Sequence, residues 1–169
     1  MKAMNPTSAV NEATDFIATL ESLGITHVVW LPDAFTGRWE NALASATRLA
    51  LVRVCREGEA WATAAGLWLG GKRPILILQN TGLFESGDAL RNVLFELAAP
   101  LYAIVGYRNY LVAESRDTAK RFTEPILQAW QLDYILLSDQ NWCRTLAEHY
   151  ASCQSARRPG IALLPEGRG

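Results

Sequence analysis

The sequence is built around six short apolar runs, THVVWLP, LALVRV, PILILQ, LYAIVG, DYILL and GIALLP, separated by stretches of mostly helical character. PILILQ is apolar at successive rather than alternate positions, the pattern of a strand covered on both faces. Helices between such strands must therefore cover both sides of one sheet. The expected fold is α/β: a doubly wound, six-stranded, mainly parallel sheet flanked by helices. Half of the 169 residues are hydrophobic and 20% are charged, which suits one domain with one sizeable core over residues 1–169.

The first helix is expected in SAVNEATDFIATLESLG, where Val10, Ala13, Phe16, Ile17 and Leu20 fall at helical spacing and Gly24 supplies the stop. Further helices are expected over 39–48, EGEAWATAAGLWLGG, GDALRNVLFELA, 118–130 and 140–155. NTGLFES and residues 108–116 are expected to be loops. Several function classes lack support. A net charge of −1 without long basic runs gives no electrostatic footprint for nucleic acid or membrane surfaces. No apolar run reaches the ~18 residues of a membrane span, and the N-terminal stretch lacks a signal-peptide core. Cys55, Cys143 and Cys153 form no zinc spacing and fit reduced thiols, with Cys55 expected to be a buried structural thiol, which points to the cytoplasm. His27 and His149, the only two histidines, are expected to be structural, and no metal site is expected in the chain.

In a doubly wound sheet, ligands sit beyond the carboxyl ends of the strands. Those ends are PDAFTGR, CREGE, QNTGLFE, GYRNY and the segment before Gln140. The phosphate-loop pattern is nearly present in Gly66–Arg73, but Arg73 replaces the required hydroxyl, and a helix runs into a strand there rather than the reverse. Two glycines ending a helix explain it.

CREGE offers two acids at the start of a helix. Glu57 shares a face with Trp61, Ala64 and Trp68, whereas Glu59 lies about 200° round at ~3.6 residues per turn. Both complement the helix dipole. Only Glu57 lies on an aromatic stripe, where a desolvated carboxylate is suited to handling a proton.

The run CREGEAWATAAGLWLGGKRPILILQNTGL resembles the pyrimidine-binding domain of thiamine-diphosphate enzymes, in the branch of the sulfopyruvate and phosphonopyruvate decarboxylases. The shared marks are a glutamate (Glu57) at a strand end, a glycine (Gly66) nine positions on, the turn Gly71-Lys72-Arg73-Pro74, and the loop Gln79-Asn80-Thr81-Gly82-Leu83. GITHVVWLPD upstream and Arg121-Phe122-Thr123-Glu124-Pro125-Ile126-Leu127 downstream extend the resemblance over nearly the whole chain.

The resemblance implies one pyrimidine-binding domain, with Glu57 hydrogen-bonded to N1′ of the cofactor's aminopyrimidine ring. It implies that Asp33, Asn80, Thr81 and Gly82 also contact thiamine diphosphate, and that the reaction is decarboxylation of a 2-oxo acid. The family's diphosphate-binding domain, whose G-D-G…N motif holds Mg²⁺, is not found in these residues. A separate beta subunit in an α2β2 or larger heteromer is therefore expected to supply it. If the substrate is 3-sulfo- or 3-phosphonopyruvate, Arg108, Arg116, Lys120 and Arg121 are the local cations for its second charge; solvated surface is the alternative. Ala34 and Thr81 stand where the branch has serines, and GYRNYLVAESRDTAK lacks the histidine of phosphonopyruvate-type enzymes. A carboligase subunit, or a non-catalytic interaction subunit that kept the fold, are the other readings.

Overall fold

The computed structural model describes residues 6–167, with side chains described from residue 12 onward. The reading of the extreme N-terminus and the contact of Val10 lie outside these. The elements are α1 (Pro6–Ser22), β1 (His27–Trp30), a 3-10 turn (Thr36–Trp39), α2 (Glu40–Ser45), β2 (Ala50–Arg53), α3 (Glu57–Leu69) and β3 (Pro74–Gln79). There follow α4 (Asn80–Glu85), α5 (Gly87–Arg91) running into a π turn (Asn92–Glu96), β4 (Tyr102–Tyr107), α6 (Thr118–Ala129), β5 (Tyr134–Leu136), α7 (Trp142–Ser155) and β6 (Gly160–Pro165). The six strands form one sheet in the order β2-β1-β3-β4-β6-β5, and every neighbouring pair is parallel.

The continuous apolar runs divide between two cores because successive side chains point to opposite faces. Val29, Leu76, Leu78, Ala103, Val105, Ile161 and Leu163 pack under α3, α4, α5 and α6 with Trp61, Leu83, Leu90 and Leu127. Val28, Trp30, Ile75, Ile77, Ile104, Ala162 and Leu164 pack under α1, α2 and α7 with Phe16, Leu20, Leu43, Leu146 and Tyr150. Burying a side chain of this size stabilises by about 1.5–3 kcal/mol, so the sheet's alternation fixes both layers at once.

The adjacent strands β1 and β3 lead to helices on opposite faces, α2 on one and α4 on the other. This is the topological switch that opens a crevice at the carboxyl ends. Two local expectations need correction. NTGLFES is not a loop: it forms α4, directly continuous with β3. Cys55, expected to be buried, is exposed. The double-glycine stop is as expected, with Gly71 at φ +75° and the Lys72 N–H donating to Leu67 O at 2.9 Å.

Candidate active site

Glu57 is the first residue of α3, where β2 has just ended, and is half-buried; Glu59 is exposed. The carboxylate of Glu59 turns back to accept from the Cys55 N–H at 3.3 Å. The helix start is completed from α4: Glu85 accepts from the Gly58 N–H at 3.0 Å and from Arg56 Nη2 at 2.6 Å. Its bond to Arg56, with that to Gly58, holds the Glu85 carboxyl below its usual range. Glu57 is left over from this arrangement. Its carboxylate takes no hydrogen bond and no ion pair among the described residues. The side chain lies directly over Gly82, and a Cβ at that position would overlap Glu57 Cγ and the carboxylate. Gly82 is therefore glycine because of what rests on it, since its backbone is ordinary helix.

The neighbouring residues of β3 and α4 divide their tasks. Asn80 was expected to face the cleft, but its side chain is fully buried, and its Nδ2 donates to Thr123 Oγ1 on α6 at 2.9 Å. Thr123 in turn donates to Ala119 O at 2.7 Å. Thr81, half-buried, donates its hydroxyl to Gln79 Oε1 at 3.2 Å. Asp33 orders the turn after β1: its Oδ1 accepts from the N–H of Phe35 at 2.6 Å and of Thr36 at 3.0 Å, and its Oδ2 accepts from Thr36 Oγ1 at 2.7 Å.

The four cations of the segment after β4 have separate surroundings. Arg108 Nε donates to Asp117 Oδ2 at 2.8 Å, which holds the Asp117 carboxyl down at about 2. Lys120 Nζ donates to Val112 O at 2.7 Å. Arg121 lies over the Phe122 ring at 4.4 Å, and Arg116 is exposed.

Two charged residues at the strand ends escaped the sequence reading. Arg38, in the turn after β1, donates from Nη2 to Glu12 at 2.8 Å and stacks 4.0 Å from the Phe35 ring centre; its burial lowers the guanidinium pKa. Glu166 directly follows β6 and is 4% exposed. Its Oε2 accepts from Gln79 Nε2 at 3.3 Å. Its carboxyl fills the space beside Gly106 of β4, where a Cβ would overlap Oε1. Burial, with Asp33 nearby, pushes the Glu166 carboxyl up to about 7 against the pull of Gln79, Arg38 and Arg108. The available signal was Gly106, a glycine inside an otherwise apolar strand, which marks a close approach.

Among the described residues, the buried side-chain atoms without a partner are Arg38 Nε, Trp39 Nε1, Asn80 Oδ1 and Glu166 Oε1. All four belong to the segments that follow β1, β3 and β6. Unsatisfied polar groups are costly in a core, and here they gather at the end of the sheet where the topology opens its crevice.

The opposite end of the sheet carries a closed network instead. His149 on α7 pairs Nδ1 with Tyr102 Oη at 2.7 Å and Nε2 with Asp133 at 2.9 Å. Asp133 also accepts from Arg158, and Cys153 Sγ lies 3.7 Å from it. Asp133, His149 and Cys153 are grouped closely enough to ligate a metal, but Arg158 already occupies the carboxylate and burial pushes the Cys153 thiol up to about 11. His149 is held between Tyr102 and Asp133.

No family model matches the chain. It is 29% identical over 162 residues to phosphonopyruvate decarboxylase of Streptomyces viridochromogenes, which covers 92% of this chain and 40% of that protein. It is 35% identical over 96 residues to phosphonopyruvate decarboxylase of Streptomyces hygroscopicus, covering 57% of this chain and 24% of that one. The sulfopyruvate decarboxylase subunit alpha of Methanococcus maripaludis is 26% identical over 133 residues, which is 78% of this chain and 76% of that subunit. The chain is a relative of these decarboxylases. It spans less than half the length of the phosphonopyruvate decarboxylases and about three quarters of the sulfopyruvate decarboxylase subunit. Among solved structures, benzoylformate decarboxylase from Polynucleobacter necessarius matches at TM-score 0.74 with 15% identity, over 90% of this chain and 29% of that one. A putative thiamin diphosphate-dependent enzyme from Mycobacterium smegmatis matches at TM-score 0.72 with 15% identity, over 90% of this chain and 30% of that one. The six-stranded α/β fold is shared with both.

Proposed function

We propose that this chain is the pyrimidine-binding part of a thiamine-diphosphate-dependent decarboxylase acting on a 2-oxo acid, of the 3-phosphono- or 3-sulfopyruvate type. The observation that carries the reading is Glu57, a half-buried carboxylate at a strand's carboxyl end with no partner among the described residues. The capping work at the start of α3 is done by Glu85, so complementing the helix terminus does not account for Glu57. The acid fits the aminopyrimidine of thiamine diphosphate, which needs a carboxylate at ring N1′ and a surface against which to lie. Gly82 keeps the space around that carboxylate clear.

Bound thiamine diphosphate supplies the nucleophilic carbon and the electron sink for decarboxylation. The chain's own residues supply placement and proton control. Glu57 holds a proton at N1′, and a low local dielectric strengthens that hydrogen bond once a neighbouring domain covers it. Thr81 stands next to Gly82 on the same wall. Asp33 and Asn80 act by shaping the walls, since their side chains are engaged within the chain. The diphosphate and Mg²⁺ are held by a partner domain, here assigned to a beta subunit in an α2β2 or larger heteromer. A relative that is itself an alpha subunit, matched over most of its length, supports that assignment.

The test is C2-proton exchange of bound cofactor, followed by NMR in the assembled complex with turnover alongside. Glu57→Gln should slow both on the order of 10²–10⁴-fold, and Glu59→Gln should change them little. Wild-type exchange in Glu57→Gln would remove the assignment.

A further inference from the structure

We propose that Glu166 is a positioning residue of the candidate site: seated against Gly106, its carboxyl orients the Gln79 amide and, through it, the Thr81 hydroxyl. The inference rests on the reading of the strand carboxyl ends as the active site.

The geometry forms a chain of three side chains from two places in the sequence. Glu166 Oε2 receives Gln79 Nε2 at 3.3 Å, and Gln79 Oε1 receives Thr81 Oγ1 at 3.2 Å. An amide has one donor end and one acceptor end. Fixing its nitrogen on Glu166 therefore leaves its oxygen facing the hydroxyl of Thr81, next to the glycine on which Glu57 rests. The carboxyl itself has little freedom. The missing side chain of Gly106 gives it a fitted seat, the Glu166 N–H donates to Tyr107 O at 3.0 Å, and its carbonyl accepts from the Leu111 N–H at 2.9 Å.

The seat also makes the relay sensitive to protons. Oε1 is buried and receives no hydrogen bond among the described residues, so an ionised carboxylate would carry charge on an oxygen with no hydrogen bond to it. The charged groups acting on it come from the other strand ends: Asp33 and Arg38 from the turn after β1, and Arg108 from the segment after β4. Asp33 repels the ionised form and the two arginines attract it. Arg38 and Arg108 are themselves held by Glu12 and Asp117. The neutral carboxyl is the form that suits the seat, with ionisation centred at about 7. Above that pH the carboxylate accepts more strongly from the Gln79 amide and is attracted by the two arginines, so the Gln79 amide and, through it, Thr81 register the charge on Glu166.

The experiment is a ¹⁵N–¹H NMR titration of the full chain from pH 5 to 9, following the Gln79 side-chain amide and the Thr81 backbone amide. In the wild type both signals should shift together with a midpoint of about 7. In Glu166→Gln both should stay at their low-pH positions throughout, because glutamine copies the neutral shape and cannot ionise. Gly106→Ala, which takes the seat away, should displace both signals at pH 5. Signals that stay flat in the wild type, or a titration that persists in Glu166→Gln, would overturn the proposal. The readout needs no cofactor and no turnover. An assembled enzyme inactive on every 2-oxo acid would refute the decarboxylase reading while leaving this result to stand by itself.

Discussion

The two ends of the sheet are built on different terms. At the amino end, Tyr102, His149, Asp133, Arg158 and Cys153 satisfy one another across β4, α7 and the starts of β5 and β6. At the carboxyl end, Glu57 has no partner among the described residues, and Arg38, Asn80 and Glu166 each bury a polar atom with none there. Both ends contain charged groups and a histidine or carboxylate of the sort that draws attention in a sequence. Satisfaction separates them: a closed network spends its hydrogen bonds on holding strands and helices together, whereas unspent capacity at a crevice is available to a ligand or a covering domain.

Three substitutions sharpen that contrast. The largest effect belongs to Gly82→Ala, which forces the Glu57 carboxylate off its seat. A displacement of this size should cost on the order of 10² in kcat/KM of the assembled enzyme, with thermal unfolding showing that the chain still folds. If Gly82→Ala leaves kcat/KM unchanged, Glu57 does not act from this position.

Next is Glu166→Gln, read as stability against pH. The folded carboxyl titrates at about 7, above its ordinary value of 4.5. Between those values the native state keeps a proton that the unfolded chain has lost, so wild-type stability falls as pH rises through this window and is level above it. Glu166→Gln escapes the loss. It should be more stable than the wild type by on the order of 2–3 kcal/mol at pH 8, and the two should converge near pH 4.5. Denaturant unfolding at both pH values checks it, and a constant difference would mean that Glu166 ionises normally.

The smallest effect is His149→Ala at the amino end. It strands the Tyr102 hydroxyl and removes a donor from Asp133, at a cost of about 1–2 kcal/mol. It should lower Tm while leaving kcat/KM of the folded enzyme as it was. A loss of activity larger than the loss of folded protein would break the division between the two ends.

The sequence shows where these differences between ends come from. Short apolar strands with periodic helices between them are local signals, and all six strands were legible in them. Glu57 stands out in the sequence because its helix face and the resemblance both mark it, and in the fold its carboxylate takes no hydrogen bond among the described residues. NTGLFES was misread because Asn-Thr-Gly is turn chemistry when taken locally. In the fold, Asn80 instead sends its amide to Thr123, 43 residues away, and the chain turns directly into α4. Glu166 lies 87 residues from Gln79 and sits in the unremarkable string PEGRG. No local pattern distinguishes a carboxylate that closes a long-range contact from one that points into water. The four cations of 108–121 are neighbours in sequence, yet Arg108 and Lys120 are held by different groups, Asp117 and Val112 O.

Helix α4 does two jobs at once, since Gly82 carries Glu57 while Glu85 closes the first turn of α3. With Asn80 bonded to α6 at its other end, this helix has almost no slack. Added or deleted residues between β3 and α5 would be felt at Glu57 within one helical turn. The segment after β4 is tied down by side chains at its rim, through Asp117 and Lys120, and by the Leu111 N–H on Glu166 O, and can change length without touching α3. In descendants of this scaffold, changes of substrate should therefore accumulate as insertions and deletions around residues 108–116, while the stretch from Gln79 to Gly87 keeps a constant length.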